Sequence, residues 1–346
     1  MRTPVATVMV LVLLAAGCTS EPGDPGAATD PSPTKSAPAP PATTTSVDAA
    51  PSTLGPGLAP GEHEISLRHD GLDRRYLVHV PPDAGAGPLA VIIALHGGGG
   101  TAAQLKADIG LDEIADREGF VAVYPDGFGL LADALHTWNA GFNCCGPAQR
   151  RNVDDVGFIR SVVSDLGSKI GIDSTRIAVT GHSNGAIMAY RVAAEASDLV
   201  SVAVPVAGAM ALEEFAPAGP VAILHIHSVD DPRARYDGGE GPPFPGTNST
   251  VLHEPVVDGL AAWAAANGCD PSPEEIESGS DGDQSFIRFA YTGCADGGRV
   301  EHLRLAGVGH GWPGVTTGRE GILGPATTLV DASEEVWRFA SRSWND

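Results

Sequence analysis

The sequence predicts an α/β fold with a doubly wound, mostly parallel sheet that carries helices on both faces. Short, continuously apolar runs such as Leu89–Leu95 are typical of strands that are buried on both faces of a parallel sheet. These runs alternate along the chain with segments of helical periodicity, and this alternation indicates right-handed crossovers between parallel strands. In such sheets, ligands bind outside the carboxyl ends of the strands.

The first 17 residues have the pattern of a secretory signal. Arg2 precedes a short apolar run from Val5 to Leu14, which is too short to span a bilayer as a stable helix. Leu14 to Cys18 reads LAAGC and resembles a bacterial lipobox. This resemblance implies cleavage before Cys18, attachment of lipid to its sulfur and retention at a membrane face. The alternative is an ordinary signal peptide with an incidental cysteine.

Residues 18–60 consist almost entirely of Pro, Ala, Thr, Ser and Gly, with a few acids and no aromatic residue. Such a segment buries too little apolar surface to offset the entropy of ordering the chain. We therefore expect a disordered spacer that holds a folded domain, residues 61–346, away from the membrane.

The net charge of −22 argues against nucleic acid as a partner, because binding to phosphates requires a positive surface. It also argues against electrostatic docking to anionic lipid. We expect a monomer whose contact with the membrane is limited to the N-terminal lipid anchor.

The folded part begins with a hairpin over residues 63–82, in which two strands flank an Asp-Gly turn. The strand Leu89–Leu95 follows and ends in four glycines. The helix over 155–171 has Asp154 or Asp155 as its N-cap. Further helices are expected over 102–118, 184–197, 254–268 and 328–344, and further strands over 120–127, 176–183, 199–208, 221–231 and 300–310.

A Gly-x-Ser-x-Gly pattern places Ser183 between the strand over 176–180 and a helix that starts near Gly185. The pattern alone is weak in a chain with 44 glycines. A strand–turn–helix context, however, is typical of the nucleophile elbow, in which a strained turn exposes a serine hydroxyl. Gly181 and Gly185 suit the tight packing on both sides of such a serine. The alternative is a surface turn with an unreactive serine.

A nucleophilic serine requires a base, and the base requires an orienting acid. In folds of this class they follow the serine in the order acid, then histidine, on loops after later strands. Asp230 and Asp231 follow one strand, and His310 follows the last strand in a glycine-rich loop. His302 is the rival base, but it alternates with Arg304 inside a strand, so we expect it on the surface.

The remaining histidines near these motifs are expected to play supporting parts. His225 and His227 would face one side of a strand, a spacing that can bind zinc. No third ligand lies nearby in sequence, so we expect buried or site-lining histidines and no metal. His182 is expected to line the elbow.

Backbone N–H groups of Gly98 and Asn184 are the candidates for stabilising the negative charge of a tetrahedral intermediate. Gly98 lies in the glycine run after the strand Leu89–Leu95, and Asn184 directly follows Ser183. The alternative for the glycine run is a flexible loop without this role.

If Cys18 is lipidated, four cysteines remain: Cys144, Cys145, Cys269 and Cys294. An even number in an exported domain suggests disulfides, and four cysteines allow three connectivities. For the adjacent Cys144 and Cys145, a vicinal bridge and two reduced thiols both stay open.

Several motifs in order resemble the polyhydroxybutyrate depolymerase family of esterases, which includes the feruloyl and acetylxylan esterases of carbohydrate esterase family 1. The resemblance covers about residues 62–342 and implies an α/β-hydrolase fold and ester hydrolysis through an acyl-enzyme, without a cofactor. It implies Asp231 as the acid, His310 as the base and a pairing of Cys269 with Cys294. The motifs are LHGGGG, TWNAGFNCCGPAQRRNVDDVGFI, GHSNGAIMAYRVA, HSVDDPRARYDGG and GVGHGWPG.

The chain departs from the family pattern near the expected site, at Ser228, Arg233, Arg235 and Gly311. These departures leave the acyl and alcohol groups of the substrate open. Trp138 and Trp312 could form stacking walls for an aromatic acyl group or a sugar, or they could pack in the core.

The sequence thus predicts an extracytoplasmic serine esterase that acts on small or polymeric esters of the feruloyl, acetyl or hydroxyalkanoate type. Two alternatives are a non-catalytic binding lipoprotein on a hydrolase scaffold and a serine peptidase of the same fold.

Overall fold

The computed structural model describes residues 57–83, 87–131, 134–142, 144–244 and 250–345. The predicted signal segment, Cys18 and most of the spacer over 18–60 lie outside these ranges. Within them, none of the helices combines the length and the apolar character that a membrane crossing requires.

Ten of the strands form one sheet in the order β1-β2-β4-β3-β5-β6-β7-β12-β11-β10, and β8 pairs with β9 separately. The six central strands, from β4 to β12, run parallel, and an antiparallel hairpin closes each edge. The strands are β1 (Gly61–His69), β2 (Leu72–Val80), β3 (Leu89–Leu95), β4 (Phe120–Pro125), β5 (Ile172–His182), β6 (Val202–Val206), β7 (Ala222–Ser228), β8 (Gly239–Glu240), β9 (Leu252–His253), β10 (Glu274–Asp281), β11 (Gln284–Tyr291) and β12 (Val300–Ala306).

Helices cover both faces of this sheet. One face packs against α4, α5 and α6, and the other against α1, α2 and α8. The helices are α1 (Ala102–Ile109), α2 (Leu111–Glu118), α3 (Gly146–Arg150), α4 (Asp155–Lys169), α5 (Asn184–Glu195), α6 (Val256–Ala266), α7 (Glu320–Leu323) and α8 (Ala332–Asn345).

The apolar run of β3 shows why the sequence folds in this way. Ile92 and Ile93 are both 0% exposed, yet they belong to cores on opposite faces of the sheet. A strand buried on both faces needs apolar side chains at every position, not at alternate ones. The doubly wound, mostly parallel sheet predicted from such runs is confirmed.

Local differences from the sequence-based expectations have physical causes. The helix expected over 102–118 is two helices, because Gly110 adopts φ +64° between them. Asp154 is the N-cap of α4, where its side chain accepts a hydrogen bond from the Gly157 N–H at 2.9 Å.

Two disulfides occur among the described residues. Cys269 is bonded to Cys294, as the family resemblance implied. Cys144 is bonded to its neighbour Cys145, which selects the vicinal bridge over two reduced thiols.

Candidate active site

Ser183 lies at the turn between β5 and α5 with φ +56°, a left-handed conformation that is rare for a residue with a side chain. The neighbouring glycines make this turn possible. A Cβ on Gly181 would overlap the carbonyl oxygen of Gly185, and a Cβ on Gly185 would overlap that of Leu95. The strained serine and the crowded glycines together form the geometry expected of a nucleophile elbow.

The structure brings the three predicted catalytic side chains into one hydrogen-bonded row. The Ser183 hydroxyl donates to His310 Nε2 over 2.9 Å, and His310 Nδ1–H donates to Asp231 Oδ2 over 2.7 Å. The three come from the loops after β5, β7 and β12, at the carboxyl ends of these parallel strands. This arrangement can take a proton from the serine hydroxyl and stabilise the resulting imidazolium.

The two adjacent aspartates have different partners. Asp231 Oδ2 faces His310, and its Oδ1 accepts from the backbone N–H groups of Arg233 and Ala234 at 2.7 and 2.8 Å. Asp230 Oδ2 instead accepts from the Gly307 N–H at 2.7 Å. Asp230 therefore ties the loop after β7 to the end of β12, and Asp231 orients the histidine.

The surroundings keep Asp231 ionised. Burial would raise the pKa of this carboxyl, but the charge of His310 and the hydrogen bonds of His227 and His310 outweigh it and lower the pKa. His182 donates from Nε2 to the His310 carbonyl oxygen at 2.6 Å and so fixes the loop of that residue. Burial, followed by the charge of His310, lowers the pKa of His182 to about 4, so this ring is a neutral donor.

The glycine run after β3 packs directly on the elbow. A Cβ on Gly97 would lie 3.5 Å from the Ser183 Cβ, and a Cβ on Gly98 would lie 3.4 Å from the Asn184 Cβ. Within the described ranges, the backbone N–H groups of Gly98 and Asn184 have no hydrogen-bond partner. Both N–H groups are therefore free to bind an oxyanion above Ser183.

Trp138 ties the elbow to this glycine run. Its backbone N–H donates to Asn184 Oδ1 at 2.7 Å, and its indole N–H donates to the His96 carbonyl oxygen at 2.9 Å. The prediction of Trp138 and Trp312 as stacking walls is wrong for this structure, since they are only 0% and 5% exposed. Trp312 instead donates its indole N–H to Ser333 of α8 at 3.1 Å. Both rings pack in the core, the alternative that the sequence left open.

The expectation that His302 lies on the surface is also wrong. Its ring is buried and stacks on Tyr236, with the ring centroids 5.7 Å apart. Tyr236 comes from the loop after β7, which covers this face of β12. His225 and His227 of β7 are fully buried, as expected, and they lie behind Asp231.

The sequence reasoning missed two features beside the oxyanion loop. The Phe244 ring lies 3.9 Å from the position of a Cβ on Gly98, which makes it a candidate wall of the site. A buried ion pair also supports the loop from behind. His136 donates to Asp126 at 3.2 Å, and the His136 carbonyl oxygen accepts from the Gly99 N–H at 2.8 Å. These contacts join residues distant in sequence, so no local pattern indicated them.

Two groups in the described part of the chain bring ligand atoms close enough together for one cation. The first comprises His96, Asp126 and His136, and the second Glu62, His79 and Asp112. Protein partners already engage both groups: the Gly127 N–H donates to His96 Nε2 at 2.9 Å, and Lys106 pairs with Glu62 and Asp112. The geometry thus assigns them to hydrogen-bond networks.

Comparisons with known proteins agree with this geometry. The family described as Esterase PHB depolymerase matches residues 74–270. The protein NocK of Nocardia uniformis subsp. tsuyamanensis is 31% identical over 71% of this chain and 72% of its own length. Feruloyl esterase B of Piromyces equi is 28% identical over 61% of this chain, but the match spans only 37% of that enzyme. The acetyl xylan esterase structure from Aspergillus awamori, 16% identical, superimposes with a TM-score of 0.51 over 72% of this chain and 94% of that one, and supports the α/β-hydrolase fold.

Proposed function

Because the chain belongs to the esterase PHB depolymerase family and is a carboxylic ester hydrolase, we propose that it cleaves esters through an acyl-enzyme on Ser183. The observation that carries this proposal is the hydrogen-bonded row from Ser183 through His310 to Asp231. The acyl groups we propose are of the feruloyl, acetyl or hydroxyalkanoate type, since relatives include enzymes named feruloyl and acetylxylan esterases.

In the proposed reaction, Ser183 Oγ attacks the ester carbonyl carbon while His310 Nε2 takes the hydroxyl proton. Asp231 holds the imidazolium, and the N–H groups of Gly98 and Asn184 bind the oxyanion. His310 then passes the proton to the leaving alcohol. A water molecule, activated by His310, attacks the acyl-enzyme and releases the acid. The chemistry requires no cofactor.

The direct test compares Ser183→Ala with the wild-type chain on p-nitrophenyl acetate. We expect kcat to fall by at least about 10,000-fold, because the covalent route is lost. A fluorophosphonate should label the wild-type chain at Ser183 and leave the variant unlabelled. Equal hydrolysis by both proteins would refute the mechanism, and a wild-type chain that does not react would favour a binding protein.

A substrate panel would identify the ester. It comprises methyl ferulate, acetylated xylan, hydroxybutyrate oligomers and a peptide substrate at matched concentrations. We expect turnover of at least one ester and none of the peptide. The opposite pattern would select a peptidase.

We also propose that the enzyme acts outside the cytoplasm as a lipoprotein. The two disulfides support an oxidising compartment, and the LAAGC motif supports a lipid on Cys18. In a bacterial host, Cys18→Ser should abolish incorporation of labelled palmitate and release the protein from the membrane fraction. An unchanged distribution and unchanged labelling would contradict the anchor.

A further inference from the structure

Behind Asp231, a row of three buried and hydrogen-bonded side chains leads from Ser183, His310 and Asp231 into the core. Tyr190 of α5 lies 3.0 Å from His225 Nδ1, and His225 Nε2 lies 3.0 Å from His227 Nδ1. His227 Nε2 lies 2.9 Å from the Ala234 carbonyl oxygen and 3.3 Å from Asp231 Oδ2. The catalytic scheme above uses none of these three side chains.

The end of the row fixes the direction of its hydrogen bonds. The Ala234 carbonyl oxygen and the Asp231 carboxylate only accept, so His227 Nε2 carries the proton. His227 Nδ1 then accepts from His225 Nε2–H, and His225 Nδ1 accepts from the Tyr190 hydroxyl. Burial lowers the pKa of His225 well below its usual value, and burial raises the pKa of Tyr190.

The row completes the set of donors around Asp231. Two backbone N–H groups hold Oδ1, and Oδ2 receives His310 Nδ1–H and shares the proton of His227 Nε2. His227 also binds the carbonyl of Ala234, whose own N–H reaches Oδ1. A single imidazole thus contacts both Asp231 and the turn that carries it.

We propose that His227 is a positioning residue for the esterase reaction: it aims the Asp231 carboxylate at His310, and His225 and Tyr190 hold the tautomer that it needs. The inference rests on the proposed function. His227 touches no reacting atom and acts only through Asp231. Its proton withdraws negative charge from Oδ2, so its loss leaves more charge there to favour protonated His310. The low-pH limb of the kcat/KM profile should then move to higher pH.

The other titratable groups around His310 and His227 should not contribute to the low-pH limb of the kcat/KM profile. Burial lowers the pKa of His182 and His253 to about 4 and that of His302 to about 3, so all three are neutral above about pH 5. The charged and titratable groups that interact with the two rings, or with the residues packed against them, are Asp231, His182, His225, His253, His302, Tyr236 and Arg304.

The test uses two variants of the full chain whose new side chains are similar to each other in size and shape. His227→Gln keeps an N–H donor, and His227→Met does not. With p-nitrophenyl acetate, we expect the Met variant to lose about 10-fold in kcat, with KM changed less than about 2-fold. Its low-pH limb should rise by about 0.5 pH unit. The Gln variant should keep the wild-type limb and most of kcat.

Tyr190→Phe serves as the second variant, since it removes only a hydroxyl at the far end of the row. This variant should shift the low-pH limb of kcat/KM in the same direction as the Met variant, by a smaller amount. It keeps the proposal testable if the Met variant does not fold. Equal profiles in the Gln and Met variants, with similar losses of stability, would overturn the positioning role. A wild-type chain inactive on every ester would overturn the proposed function instead. In that case the proton resonance of His310 Nδ1–H still tests the row: it should shift in the Met variant and stay in the Gln variant.

Discussion

Single side chains in this protein acquire their roles from the partners that surround them. Asp230 and Asp231 are adjacent and chemically identical, yet Asp230 accepts from the Gly307 N–H after β12 and Asp231 accepts from His310, the proposed base. The same holds for Asp126, which is buried and would otherwise have a raised pKa. The hydrogen bonds from His136, the Ala102 N–H and Arg75 lower that pKa instead.

The pair of His136 and Asp126 predicts a pH-dependent contribution to stability. The hydrogen bond to Asp126 raises the pKa of His136, and its Nε2–H also donates to the Leu131 carbonyl oxygen at 2.9 Å. A raised folded pKa stabilises fully below the unfolded value, about 6.5, and this stabilisation is lost as the pH rises through the folded pKa. The free energy of unfolding should therefore differ between the wild-type chain and His136→Gln by about 1–3 kcal/mol at pH 6, and by less at pH 9.

Urea unfolding of both proteins at the two pH values measures this difference. Taking the difference cancels the contribution of His79, whose pKa is raised by Asp116 and Glu62 against its burial and which is present in both. A gap that stays constant from pH 6 to pH 9 would show that His136 is not charged in the folded state.

At the scale of elements, the strand–turn–helix unit from β5 to α5 has a strained backbone at Ser183 because neighbouring elements pack closely against this turn. A Cβ on Gly208, the second residue after β6, would overlap the Ser183 carbonyl oxygen, so a third element also closes on this turn. The elbow is therefore determined by β3, β5 and β6 together.

Gly185→Ala should disturb this unit severely. The added Cβ would meet the carbonyl oxygens of Leu95 and His96, which are backbone atoms and cannot rotate away. We expect a loss of about 3 kcal/mol or more in the free energy of unfolding, together with a loss of esterase activity. Gly171→Ala is the matched control, because its Cβ would come no closer than 4.0 Å to Pro88. Similar stability of the two variants would contradict the crowding described at the elbow.

The sequence predicted the elements with buried, patterned side chains and missed the others. The central strands, α5 and the order of Ser183, Asp231 and His310 follow from apolar runs, glycines and chain order. β10 was missed because its side chains are nearly all exposed and polar, so only its pairing with β11 makes it a strand. The burial of His302 under Tyr236, and the row through His227, depend on contacts between distant segments that no local pattern encodes.

At the scale of the whole molecule, one edge of the sheet carries features that disfavour pairing with another chain. β10 lies at one edge, and its exposed acidic residues include Glu274, Glu275 and Glu277. Charged side chains on an edge strand disfavour the addition of another strand, and a net charge of −22 opposes association generally. The monomer expected from the sequence remains a prediction, which sedimentation of the full chain would test.

The disulfide between Cys269 and Cys294 acts on the whole molecule because it closes a loop of 25 residues between the end of α6 and the segment after β11. In the chain-entropy model, such a loop restricts the unfolded chain and stabilises the fold by about 3 kcal/mol. The variant with Cys269→Ser and Cys294→Ser should therefore melt several degrees lower. Within the part of the chain that the structure describes, neither cysteine has a hydrogen bond to Ser183, His310 or Asp231, so kcat at 25 °C should stay within about 2-fold of the wild-type value.

Reducing both the wild-type chain and the variant distinguishes the effect of this disulfide from that of the one between Cys144 and Cys145. The Asn184 side chain donates to Cys144 Sγ at 3.4 Å, and the backbone N–H of Asn184 is one of the proposed oxyanion donors. A reductant should lower the melting temperature of the wild-type chain at least as far as the two serine substitutions do. Any loss of kcat on reduction should persist in the variant, because it would come from the pair near Asn184. A variant that melts together with the wild-type chain would contradict the predicted stabilisation by the disulfide between Cys269 and Cys294. A variant that loses most of its kcat without reductant would show that this disulfide also acts on the folded state.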